Sequence, residues 1–148
     1  MYFLIALLID QIVKCIVVAS NCDITIIPKY FNLIYVQNTG GVYGIFENNN
    51  IAFCVVSAIV LMILFMYSKN ITKDNKLKKA LWQFILAGGV GNLIDRIFRG
   101  FVVDFVQMIG FGVFNLADAF IVISAAIIIF IELKEIASGN NRKNSNRK

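Results

Sequence analysis

Four long apolar runs, separated by shorter polar stretches, set the plan of this chain. Residues 2–19, 51–67, 80–98 and 115–136 are each close to the length of about 20 residues that a helix needs to cross a bilayer. The first run lacks the basic n-region and small-residue cleavage site of a secretory leader. Asp10 and Lys14 interrupt its middle, which predicts a retained membrane helix.

The stretches between the runs have a different texture. Residues 22–50 hold three segments rich in β-branched and aromatic residues, Ile24 to Ile27, Leu33 to Gln37 and Val42 to Phe46. Pro28, Asn32, Gly40, Gly41 and Gly44 punctuate them, predicting a small antiparallel β element outside the membrane. At its centre Asn38-Thr39-Gly40-Gly41 is either a turn or a place where the Asn38 amide binds a peptide backbone. Residues 68–79 form a polar loop with five lysines. Residues 99–114 are too short to span and too apolar for a solvated loop, so they are expected to lie along the interface. Residues 137–148 are a basic, Asn-rich tail whose composition predicts disorder.

Composition agrees with a single integral membrane domain: 148 residues, 59% hydrophobic and only 16% charged. The net charge of +5 does not point to nucleic acid, because the cations gather in two places. Lys69, Lys73, Lys76, Lys78 and Lys79 lie in one loop, and Lys134, Arg142, Lys143, Arg147 and Lys148 lie at the C-terminal end. Four spans put both termini on the side of that loop, and the excess of Lys and Arg makes it cytoplasmic. The β element, residues 99–114, Asp95, Asp104 and Asp118 then face outward. With no histidine, Ser-His-Asp and Cys-His schemes and the common zinc sets are excluded. Cys15, Cys22 and Cys54 read as small apolar fillers rather than a disulfide framework. No metal or cofactor is expected, so any chemistry falls to carboxylates.

Those carboxylates sit in unusual company. Charged groups at membrane depth are costly and mark functional sites, yet residues 88–118 carry Asn92, Asp95, Arg96, Asp104, Asn115 and Asp118 among apolar neighbours. Asn92, Asp95 and Arg96, spaced i, i+3 and i+4, are expected to share one helix face. Ala87 with Gly91, and more loosely Gly88 with Asn92, make small-xxx-small pairs that admit a close neighbour. Asp10 and Lys14, also i and i+4, either tether the first helix to its neighbours or brace a site nearby. Flanking valines and Phe105 predict a buried Asp104 with a raised pKa. Asp118 follows Asn115 with the spacing of a capping box, and a helix N-terminus stabilises its anion. Two carboxylates in unlike environments are what acid-base hydrolysis needs, and their spacing permits contact without demanding it. The competing readings are a small ion or proton transporter component, whose carboxylates would relay charge, and a non-catalytic assembly factor.

Taken together, Asn-Thr-Gly at 38–40, Gly-Asn-Leu-Ile-Asp-Arg at 91–96, Val-Val-Asp-Phe at 102–105, Phe-Asn-Leu-Ala-Asp at 114–118, and Asp10 with Lys14 resemble lipoprotein signal peptidase, or signal peptidase II, over nearly the whole chain. The resemblance implies a membrane aspartic endopeptidase of the bacterial inner membrane. It would cut a prolipoprotein just before its diacylglyceryl-modified cysteine, facing the periplasm, with both termini cytoplasmic. Asp104 and Asp118 match the catalytic dyad. Asn38 and Gly40, Asn92, Arg96 and Asn115 match positions lining the site, and Asp10, Lys14 and Asp95 match polar positions that support it. The implied fold is a membrane all-α bundle of four transmembrane helices with a small extracytoplasmic β-cradle and a short interfacial helix between the third and fourth spans. Lipid-modified prolipoproteins and membrane lipids are the implied partners of a monomer that binds no nucleic acid. The chain departs from the family at Gly41-Val42-Tyr43-Gly44, where small residues and an aromatic, such as Ala-Ala-Phe, are usual.

Overall fold

The computed structural model describes residues 1–40, 50–72 and 75–145, with side chains through residue 138. Its four long helices are α1 (Tyr2–Ser20), α2 (Asn50–Thr72), α3 (Lys76–Arg99) and α4 (Leu116–Ser145). Among the described residues, three helical stretches are long and apolar enough to cross a membrane: α1, α2 and residues Leu116–Ser138 of α4. Their outer faces carry exposed Ile, Leu, Val and Phe side chains, which suits contact with lipid rather than water.

Helix α3 is the centre, packed against α1, α2 and α4. Its glycines explain how. Successive helical residues are rotated by about 100°, so Gly88, Gly89 and Gly91 aim at different neighbours. A Cβ on Gly88 would lie 2.4 Å from the Ala117 carbonyl oxygen of α4, one on Gly89 2.7 Å from Leu61 of α2, and one on Gly91 2.6 Å from Asp10 of α1. The bundle closes because three side chains are missing. Asn75 begins α3, its side-chain oxygen accepting from the amides of Leu77 and Lys78, and Gly100 ends it with φ of 81°. At the Asn75 end Leu81, Trp82, Ile85 and Ile128 form one core cluster, and Lys78 is clamped between Glu132 and Glu135, each at 2.7 Å.

At the other end lies a four-stranded antiparallel sheet in the order β1 (Asp23–Ile27), β2 (Phe31–Asn38), β3 (Val102–Met108), β4 (Gly112–Phe114). The first two predicted strands are present. The third, Val42 to Phe46, and the Gly41 to Gly44 departure lie outside the described residues. Val17, Val103 and Phe105 make the core between α1 and the sheet.

Three expectations need correction. The polar stretch 68–79, expected as a loop, is mostly helix: α2 runs to Thr72 and α3 starts at Lys76, so Lys69 lies in the last turn of α2 and Lys76, Lys78 and Lys79 at the start of α3. Between α3 and α4 the structure holds the β3–β4 hairpin and not a short interfacial helix. Val102, Val103 and Val106 favour extended backbone, and Gly110 and Gly112, at φ of 81° and 77°, supply the left-handed turn that pairs Met108 with Gly112. Beyond residue 136, α4 continues as helix to Ser145, where composition predicts an unstructured tail. The sequence Glu132-Leu133-Lys134-Glu135-Ile136-Ala137 favours helix throughout, so the end of the apolar run carries no stop signal.

Candidate active site

Asp104 lies on β3, whose residues Val102 to Phe105 are all buried. Opposite it, the register of β2 shifts between Leu33 and Val36, a bulge that re-aims side chains. Two residues on, Asn38 donates from Nδ2 to Asp104 Oδ2 at 2.7 Å. Of the two readings of Asn38 the structure shows the turn: its Oδ1 accepts from the Gly40 amide at 3.1 Å, and its Nδ2 is taken by Asp104.

Asp118 sits in the first turn of α4. Asn115 caps that helix: its Oδ1 accepts from the Asp118 amide at 3.0 Å, while Asp118 Oδ2 accepts from the Asn115 amide at 3.2 Å. This reciprocal pair is the capping box predicted from spacing. It also places Asn115 between the two aspartates, where its Nδ2 donates to Asp104 Oδ1 at 2.7 Å. Asn92 of α3 donates to Asp118 Oδ1 at 2.8 Å. Each of the four carboxylate oxygens thus has one N–H donor, and three carboxamides from β2, α3 and the start of α4 bring the two acids to one place. Capping and site-building are one arrangement here.

The electrostatics separate the pair. Burial, helped by the neighbouring Asp118 carboxylate and opposed by Asn38, Asn115 and Lys14, raises the Asp104 carboxyl to about 6. Asp104 therefore holds a proton more readily than an ordinary carboxyl.

Behind this pair is a dry ionic cluster. Asp10, Lys14, Asp95 and Asn115 have 0% exposure. Lys14 Nζ lies 3.0 Å from Asp10, 2.9 Å from Asp95 and 2.9 Å from Asn92 Oδ1. Asp10 Oδ1 accepts from the Ala117 amide at 3.0 Å, covering another free N–H of α4, and Asp95 Oδ2 accepts from the Val103 amide at 3.2 Å, fixing β3 to α3. Asp10 and Lys14 thus both tether α1 and brace the site.

Arg96 departs from the expectation of one shared face. Asn92 and Asp95 turn toward Lys14 of α1, whereas Arg96 lies over the Phe53 ring of α2 at 5.1 Å. Adjacent helical positions diverge by about 100°, so Asp95 and Arg96 fall on either side of Asn92. Sequence reasoning missed Gln11 and Arg99. Gln11 Nε2 reaches Asp10 at 3.1 Å and Gly91 O at 3.2 Å, and Arg99 binds Asp95 and, at 3.2 Å, Gln11 Oε1. The i, i+4 spacing of Asp95 and Arg99 was a readable signal. Cys15, Cys22 and Cys54 are free thiols.

Two mainly apolar cavities lie nearby, one of them reaching Asp118. One, of about 340 Å³, runs under Met108, Phe111 and Phe114 along Val122 and Ile123 of α4 and closes on Asp118. The other, of about 250 Å³, lies among Val56, Val60, Leu64 and Ile121 and reaches Asn92 and Arg96. A larger cavity of about 640 Å³ beside Lys78 and Glu132 is at the far end of α3 and contains neither aspartate.

Comparison with known proteins gives a consistent picture. The family described as Signal peptidase (SPase) II matches residues 2–134. The chain is 38% identical over 133 residues to a lipoprotein signal peptidase of Fusobacterium nucleatum, covering 86% of this chain and 81% of that protein. It is 39% identical over 129 residues to one of Halothermothrix orenii, covering 85% and 88%. Among solved structures, a bacterial membrane enzyme determined in meso at 2.3 Å resolution superposes with a TM-score of 0.77 at 28% identity, covering 93% of this chain and 88% of that one.

Proposed function

The chain belongs to the signal peptidase II family, and from that premise we propose that it removes the signal peptide from diacylglyceryl-modified prolipoproteins by water attack between Asp104 and Asp118. The observation that carries the reading is the pair itself: two buried-edge carboxylates, all four oxygens held by amide donors, one with its pKa raised to about 6.

In this mechanism Asp104 holds the proton and donates it to the oxygen of the scissile carbonyl, while Asp118 takes a proton from the water that attacks the carbonyl carbon. The tetrahedral intermediate collapses as Asp118 returns its proton to the leaving nitrogen and the C–N bond breaks. Asp104 regains its proton from the hydroxyl that becomes the new carboxyl group. Seating a substrate removes more water, which favours the neutral form of Asp104 further. Asn38 and Asn115 keep Asp104 in place through both half-reactions, Asn92 does so for Asp118, and Arg96 faces the substrate backbone.

The lipid requirement follows from the surroundings. An acyl chain sliding along the outer face of α4 meets the apolar cavity that ends on Asp118, so a substrate anchored in the bilayer arrives with its peptide bond already near the dyad. All four helices span the bilayer of the bacterial inner membrane as a single domain, with the lysine loop and basic tail cytoplasmic and the sheet and dyad on the periplasmic side. The enzyme works as a monomer without cofactor or nucleic acid. Asp10, Asp95, Asp104 and Asp118 gather toward one end of the bundle, which does not suit a relay through the membrane.

The test is cleavage of a diacylglyceryl-modified prolipoprotein by the purified protein in detergent or lipid, beside Asp104→Asn and Asp118→Asn. Cleavage by the wild type and none by either folded variant is expected. Full activity in either variant would overturn the dyad.

A further inference from the structure

Every amide that serves the two aspartates has its own oxygen held by a group that can only donate. Asn38 Oδ1 takes the Gly40 amide and Asn115 Oδ1 takes the Asp118 amide. A carboxamide so held has one orientation, because turning it over would set N–H against N–H. Asn92 has no backbone donor in that role. Its Oδ1 takes Lys14 Nζ at 2.9 Å and Asn115 Nδ2 at 3.1 Å, which leaves Nδ2 facing Asp118 at 2.8 Å.

We propose that Lys14 is a positioning residue for Asp118: it fixes which end of the Asn92 amide meets the carboxylate. The inference rests on the reading of Asp104 and Asp118 as the reacting pair. Lys14 is suited to the task because an ammonium has three donors and no acceptor, and its three contacts are Asp10, Asp95 and Asn92. Its charge is already balanced. Asp10 and Asp95 carry two negative charges, Lys14 and Arg99 two positive ones, and Gln11 joins Asp10, Asp95 and Arg99 into the same cluster. The ammonium therefore reaches Asp118 chiefly through the amide it orients. Without it, Asn115 alone holds the Asn92 oxygen. That longer, uncharged contact of 3.1 Å resists a turn of the amide less strongly, so orientations that set the oxygen toward Asp118 gain population and replace attraction by repulsion at the atom that must accept a proton from water.

A purely structural role predicts lost folding, whereas this role predicts a loss routed through one side chain. The experiment is a double-mutant cycle on cleavage of a lipidated precursor, with Lys14→Met, Asn92→Ala and the double variant, and melting measured alongside. Because Lys14→Met leaves two buried carboxylates facing one cation, Lys14→Met and its double variant are also made with Asp10→Asn, which restores the balance in those two and guards against misfolding. The expected result is a kcat lowered about 10- to 100-fold by either change, KM little altered, and no further loss in the double variant. Losses that multiply in the double variant would overturn the proposal, as would a Lys14→Met enzyme with normal kcat. Asp104→Asn and Asp118→Asn are assayed beside the cycle. If these remain active the dyad reading has failed, whereas inert dyad variants with multiplying losses refute only the role given to Lys14.

Discussion

The approach of α3 to α4 sets the distance between Asn92 and Asp118, and Gly88→Ala tests it directly. A Cβ at this position lies 2.4 Å from the Ala117 carbonyl oxygen and 2.9 Å from Ile121 Cγ1. Ile121 can rotate aside, but the Ala117 carbonyl is helix backbone and cannot. Ordinary contact begins at 3.4 Å, so the helices must part locally by 1.0 Å, the difference between those two separations. Asn92 lies one turn further along the same face. Its 2.8 Å bond to Asp118 then stretches to roughly 3.8 Å, beyond hydrogen-bond range. Overpacking costs about 1–3 kcal/mol, of which Ala recovers about 1 kcal/mol by its better helix propensity. Activity suffers more, since a displacement of about 1 Å can cost 100-fold. Turnover of a diacylglyceryl-modified precursor and thermal melting, measured in one detergent, separate the two effects. Gly89→Ala is the control, for its Cβ meets only the far end of the flexible Leu61 side chain, and its turnover should stay within a few-fold of wild type. Wild-type turnover in Gly88→Ala would refute the reasoning.

Three further outcomes are expected. Because the Asp104 proton is bound below about 6 and lost above it, kcat/KM should fall on the alkaline side from near that pH, and a profile flat from pH 5 to 8 contradicts the assignment. The folded pKa stands above the ordinary carboxyl value of 3.8, so the folded chain binds this proton more tightly than the unfolded one. Its contribution to stability is present below about 4 and declines as pH rises toward 6. Arg96→Lys should lower turnover although charge is kept, since Lys cannot reproduce a planar guanidinium lying 5.1 Å over Phe53; unchanged kinetics in that variant would sink this role.

Much of this arrangement was legible in the chain. Apolar runs mark helices because lipid demands length and little else, and β-branched segments mark β1 and β2 by local preference. Asp104 and Asp118 stand out because a carboxylate among apolar neighbours is costly without a purpose. What sequence could not show is direction. The β3 strand is buried on both faces, so Val102 to Phe105 lacks the alternation that reveals a half-exposed strand, and the hairpin read as interfacial chain. The split between Asp95 and Arg96 depends on which neighbour lies on each side of α3. Gln11 is ordinary beside an aspartate until the partner helix is known, because its contacts to Gly91 and Arg99 cross to α3, whereas Arg99 carried a readable signal in its i, i+4 spacing from Asp95.

The contact between Asp10 and the Ala117 amide joins residues 107 positions apart. A nascent chain leaves the ribosome from its N-terminus, so α1 is made long before the start of α4, and Asn115 and Asp118 arrive with the last helix. Until that helix docks, Asp10 has no amide to cap and the chain has only one of its two acids in place. On the proposed mechanism a partly synthesised or partly inserted copy holds one acid and cannot cut, so proteolytic competence coincides with completion of the fold.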